Sequence, residues 1–345
     1  MLPLNNVIDE KRHPHLRVVL TPHCHYKCSY CRPGGEGYYG NTKSVLSDDE
    51  IIAILSICGD VGFRHIKFTG GEPLLRKGVE DIIKRTNELG KFQSLDMVTN
   101  GSLLYRKAQQ LKDAGLDTIS VSLDAAEREK FYKIALVDDY ENVIKGLNEA
   151  VRVGMKTRIN TVLMQSNKNQ LEGLLNIAEE TGSELKLIDA MDILMEDYKW
   201  VNFSWRSEYL HLSYIVDTLK ERTVQRNFSY PPGGLGTPMI TLTLNNGVKV
   251  LLRDATVGTN YDLATCGSCK YYPCQDALIS LRLTHDGHLK KCLIRNDNLV
   301  DVITPLRENN RQEALDRIKG CYDILMRAEY QPNAWGPEND RKNKR

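Results

Sequence analysis

Short runs rich in β-branched and apolar residues alternate with longer amphipathic segments over the first half of the chain. This alternation predicts strands that are each followed by a helix. Several of the amphipathic segments end at a glycine, which is the usual signal just past a helix C-terminus; these glycines are Gly90, Gly115, Gly154 and Gly182. The predicted strands are Leu16–Leu20, His65–Thr69, Ser94–Thr99, Thr118–Leu123, Thr157–Leu163 and Glu184–Ile188.

A helix start is predicted at Ser47. Glu50 lies three residues after this serine, and an apolar run follows from Ile51 to Ile57, which is the pattern of a capping box before a helix. We expect this helix to end near Gly59. Counting it, the pattern contains six βα units, which predict an α/β fold with a parallel sheet closed or partly closed like a barrel.

Candidate chemistry follows the ends of these strands. A cysteine-rich loop comes after the first strand, and a Gly-Gly-Glu-Pro segment at 70–73 comes after the second. Asn100, Asp124 and Gln165 lie just beyond the third, fourth and fifth strands. Because ligands of parallel sheets gather at the carboxyl ends of the strands, we expect these residues to meet at one rim.

The pattern changes after residue 200. Residues 200–226 predict a helix-rich connector, and the Pro/Gly-rich stretch 230–238 predicts a linker or a functional loop. The Asn246-Gly247 pair between two strand-like runs predicts a hairpin. The predicted organisation is an arm at 1–15, a barrel at 16–225, a C-terminal region at 226–330 and a flexible tail at 331–345.

Composition excludes several function classes. The 345 residues carry a formal net charge of only +1, which argues against a nucleic acid polymer as partner. No apolar run approaches the ~18 residues of a membrane helix, and the N-terminus lacks the basic and apolar regions of a signal peptide. We therefore expect a soluble, cytoplasmic protein with no membrane partner.

Nine cysteines are many for such a chain, and seven of them fall in two clusters. Without a secretion signal, clustered cysteines favour metal over disulfides, whereas the isolated Cys58 and Cys321 are expected to be buried. In the first cluster Cys24, Cys28 and Cys31 are spaced C-x3-C-x2-C. Three thiolates on one loop can hold three corners of a 4Fe-4S cluster and leave one iron open. A zinc knuckle or three unrelated buried thiols are the alternatives.

This loop resembles that of the radical S-adenosylmethionine (SAM) superfamily, in which an aromatic residue, here Tyr30, precedes the last cysteine. The segment 68–74, Phe-Thr-Gly-Gly-Glu-Pro-Leu, matches the same superfamily. The resemblance implies that the open iron chelates SAM. It also implies that the cluster, once reduced by a one-electron donor such as flavodoxin or ferredoxin, cleaves SAM to a 5'-deoxyadenosyl radical. The implied SAM-binding residues are Tyr30, Gly70, Gly71, Glu72, Thr99 and Ser122, with adenine near Val162.

The second cluster, spaced C-x2-C-x4-C-x17-C, consists of Cys266, Cys269, Cys274 and Cys292. Four thiolates can hold a second 4Fe-4S cluster or a tetrahedral zinc. The surrounding sequence resembles the C-terminal part of the GTP 3',8-cyclase family, and the similarity runs from about residue 16 to 293. In that family three cysteines hold the second cluster, and its open iron binds guanine. The match implies that Cys266, Cys269 and Cys292 are the three cysteine ligands of the second cluster.

Three departures from that family stand out. Cys274 lies in an insertion and could be a fourth ligand, which would leave no vacancy for substrate. The family has two arginines one residue apart; Arg282 matches one, but Ser280 takes the place of the other. The chain ends in Asn343-Lys344-Arg345 rather than in two glycines. Loss of a planar arginine fork weakens recognition of a triphosphate specifically.

The sequence therefore predicts a divergent radical SAM enzyme that abstracts hydrogen from a small, nucleotide- or nucleoside-like molecule to drive cyclisation, rearrangement or elimination. A true GTP 3',8-cyclase, a peptide-modifying radical SAM enzyme and, outside enzymes, a zinc-stabilised binding protein are the alternatives. The candidate substrate anchors are Arg17, Arg76, Arg158, Lys186 and Arg282. Alternatively, each of them is an exposed charge or part of a structural ion pair.

Overall fold

A computed structural model of the chain describes residues 14–31, 45–191, 203–230, 237–276, 278 and 280–336. The arm, the glycine-rich stretch after the first cysteine loop, most of the Pro/Gly-rich loop and the last nine residues of the predicted tail lie outside these ranges. Asp192, at the end of a stretch that resembles the cyclase family, also lies outside them.

The described strands are β1 (His15–Val19), β2 (His65–Thr69), β3 (Ser94–Thr99), β4 (Thr118–Ser122), β5 (Lys156–Leu163), β6 (Glu184–Asp189), β7 (Thr223–Ser229), β8 (Met239–Leu244), β9 (Lys249–Arg253), β10 (Gly258–Tyr261), β11 (Leu281–Leu283), β12 (His288–Lys290), β13 (Leu299–Asp301) and β14 (Glu329–Pro332).

The described helices are α1 (Asp48–Val61), α2 (Val79–Glu88), α3 (Leu104–Asp113), α4 (Arg128–Ala135), α5 (Tyr140–Arg152), α6 (Leu171–Thr181), α7 (Trp205–Glu208), α8 (Ser213–Thr218), α9 (Leu263–Cys266), α10 (Ile303–Arg307) and α11 (Arg311–Arg327).

Strands β1 to β6 pair in parallel and in sequence order, with helices in the connections between them. The predicted strands agree with the observed ones to within one residue at each end. Two helices, α4 and α5, fill the connection between β4 and β5, where the sequence pattern predicted one. The α/β partial barrel of six parallel strands is thus present as predicted.

Alternation along the strands separates the core from a central cavity. Leu16, Ile66 and Leu185 are fully buried in the hydrophobic core. Their neighbours Arg17 and Lys67 point to the opposite face of the sheet, where they line the cavity. Because successive side chains of a strand face opposite sides, one face packs in the core and the other presents polar groups to the cavity.

Helix α1 begins as predicted but ends later than expected. The Ser47 side chain accepts a hydrogen bond from the Glu50 amide, and the Glu50 carboxylate accepts one from the Ser47 amide at 2.8 Å. Gly59 is buried inside the helix, and the chain leaves it at Gly62, whose φ is 128°. This conformation favours glycine, so Gly62 and not Gly59 terminates the helix.

C-terminal strands extend both edges of the parallel sheet. β11 adds in parallel to β1 and continues into antiparallel β12 and β13, whereas β9 adds in parallel to β6 and continues into β8 and β7. The predicted hairpin at Asn246-Gly247 joins β8 and β9. The predicted helix-rich connector is wrong at its end, since β7 begins at Thr223 and spans the proposed boundary at 225/226. Pairing with β8 explains the strand.

The end of the described chain packs back onto the protein. β14 pairs with β10, and Trp335 is only 2% exposed because its ring packs edge-on against Trp205 and Tyr209. The sequence assigns residues 331–336 to a tail, but the strand pairing of β14 and the buried Trp335 hold this segment against the protein. Among the described helices, none is long and apolar enough to cross a membrane.

Candidate active site and second cysteine site

The first cysteine loop is held on two sides by backbone hydrogen bonds. At the end of β2, the Gly71 amide donates to the Thr21 carbonyl at 2.8 Å and the Glu72 amide donates to the His23 carbonyl at 2.7 Å. On the other side, the Ser29 amide donates to the Ile134 carbonyl of α4 at 2.9 Å. The loop is thus shaped by the strand end and the helix that flank it.

The close contact between the loop and β2 explains the two glycines. A Cβ atom at Gly70 would lie 2.7 Å from the Thr21 carbonyl oxygen, and one at Gly71 would lie 2.3 Å from the His23 carbonyl oxygen. Both neighbours are backbone atoms, which cannot move without breaking the loop. Only glycine permits this approach of two main chains.

The three thiols of the loop, Cys24, Cys28 and Cys31, line one cavity of about 350 Å³. The Tyr26 amide donates to the Cys24 sulfur at 3.4 Å. Burial raises the pKa of Cys28 well above its usual value, and the neighbouring Cys31 adds to the rise. Three adjacent sulfurs on one cavity wall, with a main-chain donor to one of them, fit three corners of a cubane cluster.

The residues expected to contact SAM line the same cavity, namely Tyr30, Gly70, Gly71, Glu72, Thr99 and Ser122. Glu72 is 1% exposed and accepts hydrogen bonds from the Thr99 hydroxyl at 2.6 Å, from the Asn100 amide at 2.7 Å and from the Leu74 amide at 3.0 Å. Burial raises its pKa to about 7. Glu72 and Thr99 thus hold each other in place on the wall.

Tyr30 connects the cysteine loop to the sheet. Its hydroxyl donates to Asp124 at 2.6 Å, and the other oxygen of Asp124 accepts from the Val162 amide at 2.8 Å. Burial raises the pKa of Asp124 to about 6. The rim position of Asp124 was predicted from the sequence, but its bond to Tyr30 was not.

Basic side chains form a row across one part of the cavity wall. Arg282 of β11, Arg17 of β1 and Lys67 of β2 are register partners on three adjacent strands. Lys186 of β6 and Arg253 of β9 also line the cavity. Burial and the nearby cations, Lys67 first among them, lower the pKa of Lys186 well below its usual value. We call these five residues the basic row.

Two predicted substrate anchors, Arg76 and Arg158, are not on the described cavity wall. Arg76 donates to the Leu20 and Leu46 carbonyls at 2.8 and 2.7 Å and to Asp48 at 2.5 Å, so it ties β1 to the start of α1. Arg158 pairs at 2.6 Å with Glu184, its register partner on β6. Both guanidinium groups are used in structural ion pairs, the alternative role considered for them.

Two aspartates of the cavity wall pair with the basic row, and a third, Asp96, lies 3.7 Å from the Lys67 ammonium. Asp189, at the end of β6, lies 3.7 Å from a guanidinium nitrogen of Arg253, and its Oδ2 accepts from the Gln275 side chain at 3.0 Å. Among the described residues its Oδ1 has no hydrogen-bond partner. Burial raises its pKa to about 6, against the lowering effect of Arg253. Asp276 pairs with Arg282 at 2.9 Å.

The second cysteine group surrounds a separate cavity of about 30 Å³, lined by Cys266, Cys269, Cys274 and Cys292. The Asn298 side chain donates to the Cys292 sulfur at 3.0 Å, and the Tyr261 hydroxyl holds the Cys274 carbonyl at 2.6 Å. Within the described ranges no three His, Cys, Asp or Glu side chains converge on a single metal ion. Cubane ligands each bind a different iron, so they surround a volume rather than a point.

Comparison with known proteins assigns the family. The model of the Radical SAM superfamily matches residues 18–178. A probable GTP 3',8-cyclase of Sulfurisphaera tokodaii is 32% identical over 314 residues, covering 90% of this chain and 91% of that protein. The chain belongs to the radical SAM superfamily. The GTP 3',8-cyclase of Campylobacter fetus subsp. fetus is likewise 32% identical, covering 95% of this chain and 92% of that protein.

Solved structures support the radical SAM fold. Streptococcus suis SuiB bound to S-adenosylmethionine matches with a TM-score of 0.60 and 16% identity over 85% of this chain, which spans 64% of the SuiB chain. The protein anSMEcpe with bound AdoMet matches with a TM-score of 0.61 and 15% identity over 91% of this chain and 82% of its own. The predicted fold class is confirmed.

Family membership also confirms that the protein is a radical SAM enzyme, similar to GTP 3',8-cyclases, rather than a zinc-stabilised binding protein. A 4Fe-4S cluster and SAM are the cofactors that this family implies. Sequence reasoning missed Lys67, Arg253, Asp189 and Asp276 as cavity residues. The alternation of β2 could have identified Lys67, which has the same strand parity as Thr69 at the rim.

Proposed function

We propose that this radical SAM enzyme acts on an anionic, nucleotide- or nucleoside-like small molecule. The observation that carries the proposal is that one cavity is lined both by the first cysteine loop and by the basic row. A substrate anchored there through phosphate or carboxylate oxygens would present its carbon skeleton toward the cysteine loop. Arginine and lysine suit such an anion, because their donors match its oxygens and their charge compensates it.

Cys24, Cys28 and Cys31 would hold the first 4Fe-4S cluster, and Tyr30, Gly70, Gly71, Glu72, Thr99 and Ser122 would surround SAM. When bound and reduced by a donor such as flavodoxin or ferredoxin, the cluster supplies the electron that cleaves SAM to the radical that abstracts hydrogen from the substrate.

The protein's own contribution is to hold the reacting groups in place. The Thr99–Glu72 and Tyr30–Asp124 hydrogen bonds fix two parts of the wall, at 2.6 Å each. A rigid wall keeps the target carbon near the radical carbon. Cyclisation, rearrangement or elimination of the substrate radical would follow from that geometry.

The second cysteine group would hold a second 4Fe-4S cluster. Cys266, Cys269, Cys274 and Cys292 all face one cavity, which supports Cys274 as the fourth ligand. With four thiolates the cluster would have no open iron, and it would serve electron transfer or structure instead of substrate binding.

A true GTP 3',8-cyclase is the second candidate. The 32% identity to proteins of that name over most of the chain favours it. Ser280, in place of an arginine of that family, and the engagement of Arg282 with Asp276 weigh against a triphosphate substrate.

The test is an anaerobic incubation of the reconstituted protein with dithionite, SAM and GTP, analysed by mass spectrometry for 5'-deoxyadenosine and a cyclised isomer of GTP. We expect 5'-deoxyadenosine from the wild type and from Cys321→Ala, a control cysteine outside both clusters. Cys24→Ala, Cys28→Ala and Cys31→Ala should each abolish it, because each removes an iron ligand.

Retention of 5'-deoxyadenosine formation in any of these three variants would refute the assignment of the loop. Appearance of the GTP isomer would select the cyclase. Slow SAM cleavage with no product from GTP would support another anionic substrate.

A further inference from the structure

Asp276 and Arg282 form an ion pair in the wall of the main cavity. Arg282 is 2% exposed and Asp276 is 1% exposed. A guanidinium nitrogen of Arg282 lies 2.9 Å from Asp276, and another donates to the Ser280 carbonyl at 3.3 Å. The cation is therefore already engaged before any substrate enters.

The carboxylate is held in place from its other side as well. The second oxygen of Asp276 accepts a hydrogen bond from the Leu293 amide, next to Cys292 of the second cysteine group. A substrate phosphate that recruited Arg282 would leave this carboxylate buried without its partner, which is strongly unfavourable.

Arg282 lies in line with Arg17 and Lys67 on adjacent strands, so without Asp276 its charge would add to that of the other residues of the basic row. Arg253 of the same row faces Asp189 at 3.7 Å, and Lys67 lies 3.7 Å from Asp96. Lys186 has neither an ion pair nor a hydrogen bond to any other described residue, but burial and the nearby cations lower its pKa. The charge that remains available to an anion is thus smaller than the number of cations suggests.

We propose that Asp276 is a specificity-determining residue: by neutralising Arg282 it restricts the cavity to a nucleotide-like substrate that bears a single phosphate, rather than a triphosphate. This inference rests on the proposed function, because it names the substrate class of the same cavity. The additional phosphates of a triphosphate carry charges that the remaining basic residues cannot match, and they also approach Asp276 itself.

The test is equilibrium binding of guanosine monophosphate and GTP by calorimetry to the anaerobically reconstituted protein with SAM, without reductant. The wild type should bind the monophosphate at least as tightly as GTP. Asp276→Asn should raise the affinity for GTP about tenfold and change that for the monophosphate much less. Asp60→Asn is the matched control, because it removes the same charge from the exposed pairs with Lys91 and Arg311.

The double variant Asp276→Asn/Arg282→Gln keeps the inference testable if the single variant folds poorly, since it leaves no unpaired charge. Its affinity for GTP should lack the tenfold gain. Iron content and circular dichroism report folding in each case.

A wild type that prefers GTP by tenfold or more would overturn the inference, as would an Asp276→Asn variant that folds and leaves the ratio of the two affinities unchanged. Continued formation of 5'-deoxyadenosine in the separate incubation with dithionite would then show that the proposed function survives. Loss of 5'-deoxyadenosine formation, or binding of neither nucleotide, would instead count against the proposed function as well.

Discussion

Three carboxyl groups around the main cavity, Glu72, Asp124 and Asp189, are buried at 1%, 6% and 1% exposure. Burial raises their pKa values to about 7, 6 and 6. Each is held by hydrogen bonds from backbone or side-chain donors, and these bonds partly offset the cost of burying charge. Single residues of this kind make the stability of the protein depend on pH.

Asp189→Asn tests this dependence. A buried carboxyl with a raised pKa contributes stability that is complete below its unfolded pKa, near 4, and is lost as the pH rises through about 6. The variant lacks this loss. Relative to the wild type it should therefore gain stability between pH 4 and pH 7, by up to about 3 kcal/mol, because folding raises the pKa of Asp189 from about 4 to about 6. Denaturant unfolding of the apoprotein across this range measures the difference.

For Asp60→Asn we expect the stability difference from the wild type to change with pH in the opposite direction. Lys91 lowers the pKa of Asp60, so this group stabilises the fold above its unfolded pKa. Its removal should make the variant lose, not gain, stability relative to the wild type as the pH rises. A flat difference between Asp189→Asn and the wild type over the same range would contradict the raised pKa of Asp189.

Between elements, the decisive contact is that of the end of β2 with the first cysteine loop. Two backbone hydrogen bonds, at 2.8 and 2.7 Å, join them, and the glycines at 70 and 71 leave room for the approach. The Gly-Gly-Glu-Pro segment thus has a structural role that is independent of any cofactor.

Gly71→Ala should disrupt this contact. Its Cβ would lie 2.3 Å from the His23 carbonyl oxygen, so the loop must shift. We expect a loss of at least about 2 kcal/mol of unfolding free energy and of iron from the first site. The matched control is Gly320→Ala in α11, where the Cβ meets nothing within 4 Å. It should gain up to about 1 kcal/mol, because alanine is the better helix former.

Both quantities can be followed in one preparation, by denaturant unfolding and by iron analysis after anaerobic reconstitution. A Gly71→Ala protein with wild-type stability and full iron content would show that the loop can move away at little cost.

At the scale of the whole molecule, the C-terminal segment brings the second cysteine group next to the first cysteine loop. β11 pairs with β1 beside the first loop, and the residues around it carry the second group. Cys292 lines the small cavity and the next residue, Leu293, lines the large one. The two cavities are therefore adjacent yet distinct.

Cys274→Ser tests the four-ligand second site. If Cys274 binds iron, the variant should lose iron or change the electron paramagnetic resonance spectrum of the second cluster, because an oxygen or an open position replaces a thiolate. SAM binding at the first site should persist, since Cys274 lines only the small cavity. Cys321→Ser serves as control. Unchanged iron content together with an unchanged spectrum would exclude Cys274 as a ligand.

Local sequence determined the strands β1 to β6, the start of α1 and the spacing of both cysteine groups. These features depend on residues only a few positions apart: alternation of side chains, a capping box and thiols on one loop. The burial of Cys58 and Cys321, at 0% and 2% exposure, also agrees with the expectation for cysteines outside the two clusters.

Only the tertiary structure decided which charges face the cavity. Strand register places Arg158 opposite Glu184 and Arg282 beside Arg17. Both pairs are far apart in the sequence, and the sequence pattern does not specify which strands are neighbours. The same register brings Arg253 next to β6, and the folded chain places Asp276 against Arg282. An arginine is an anchor or a structural partner according to the carboxylate that folding brings to it, and no local pattern contains that information.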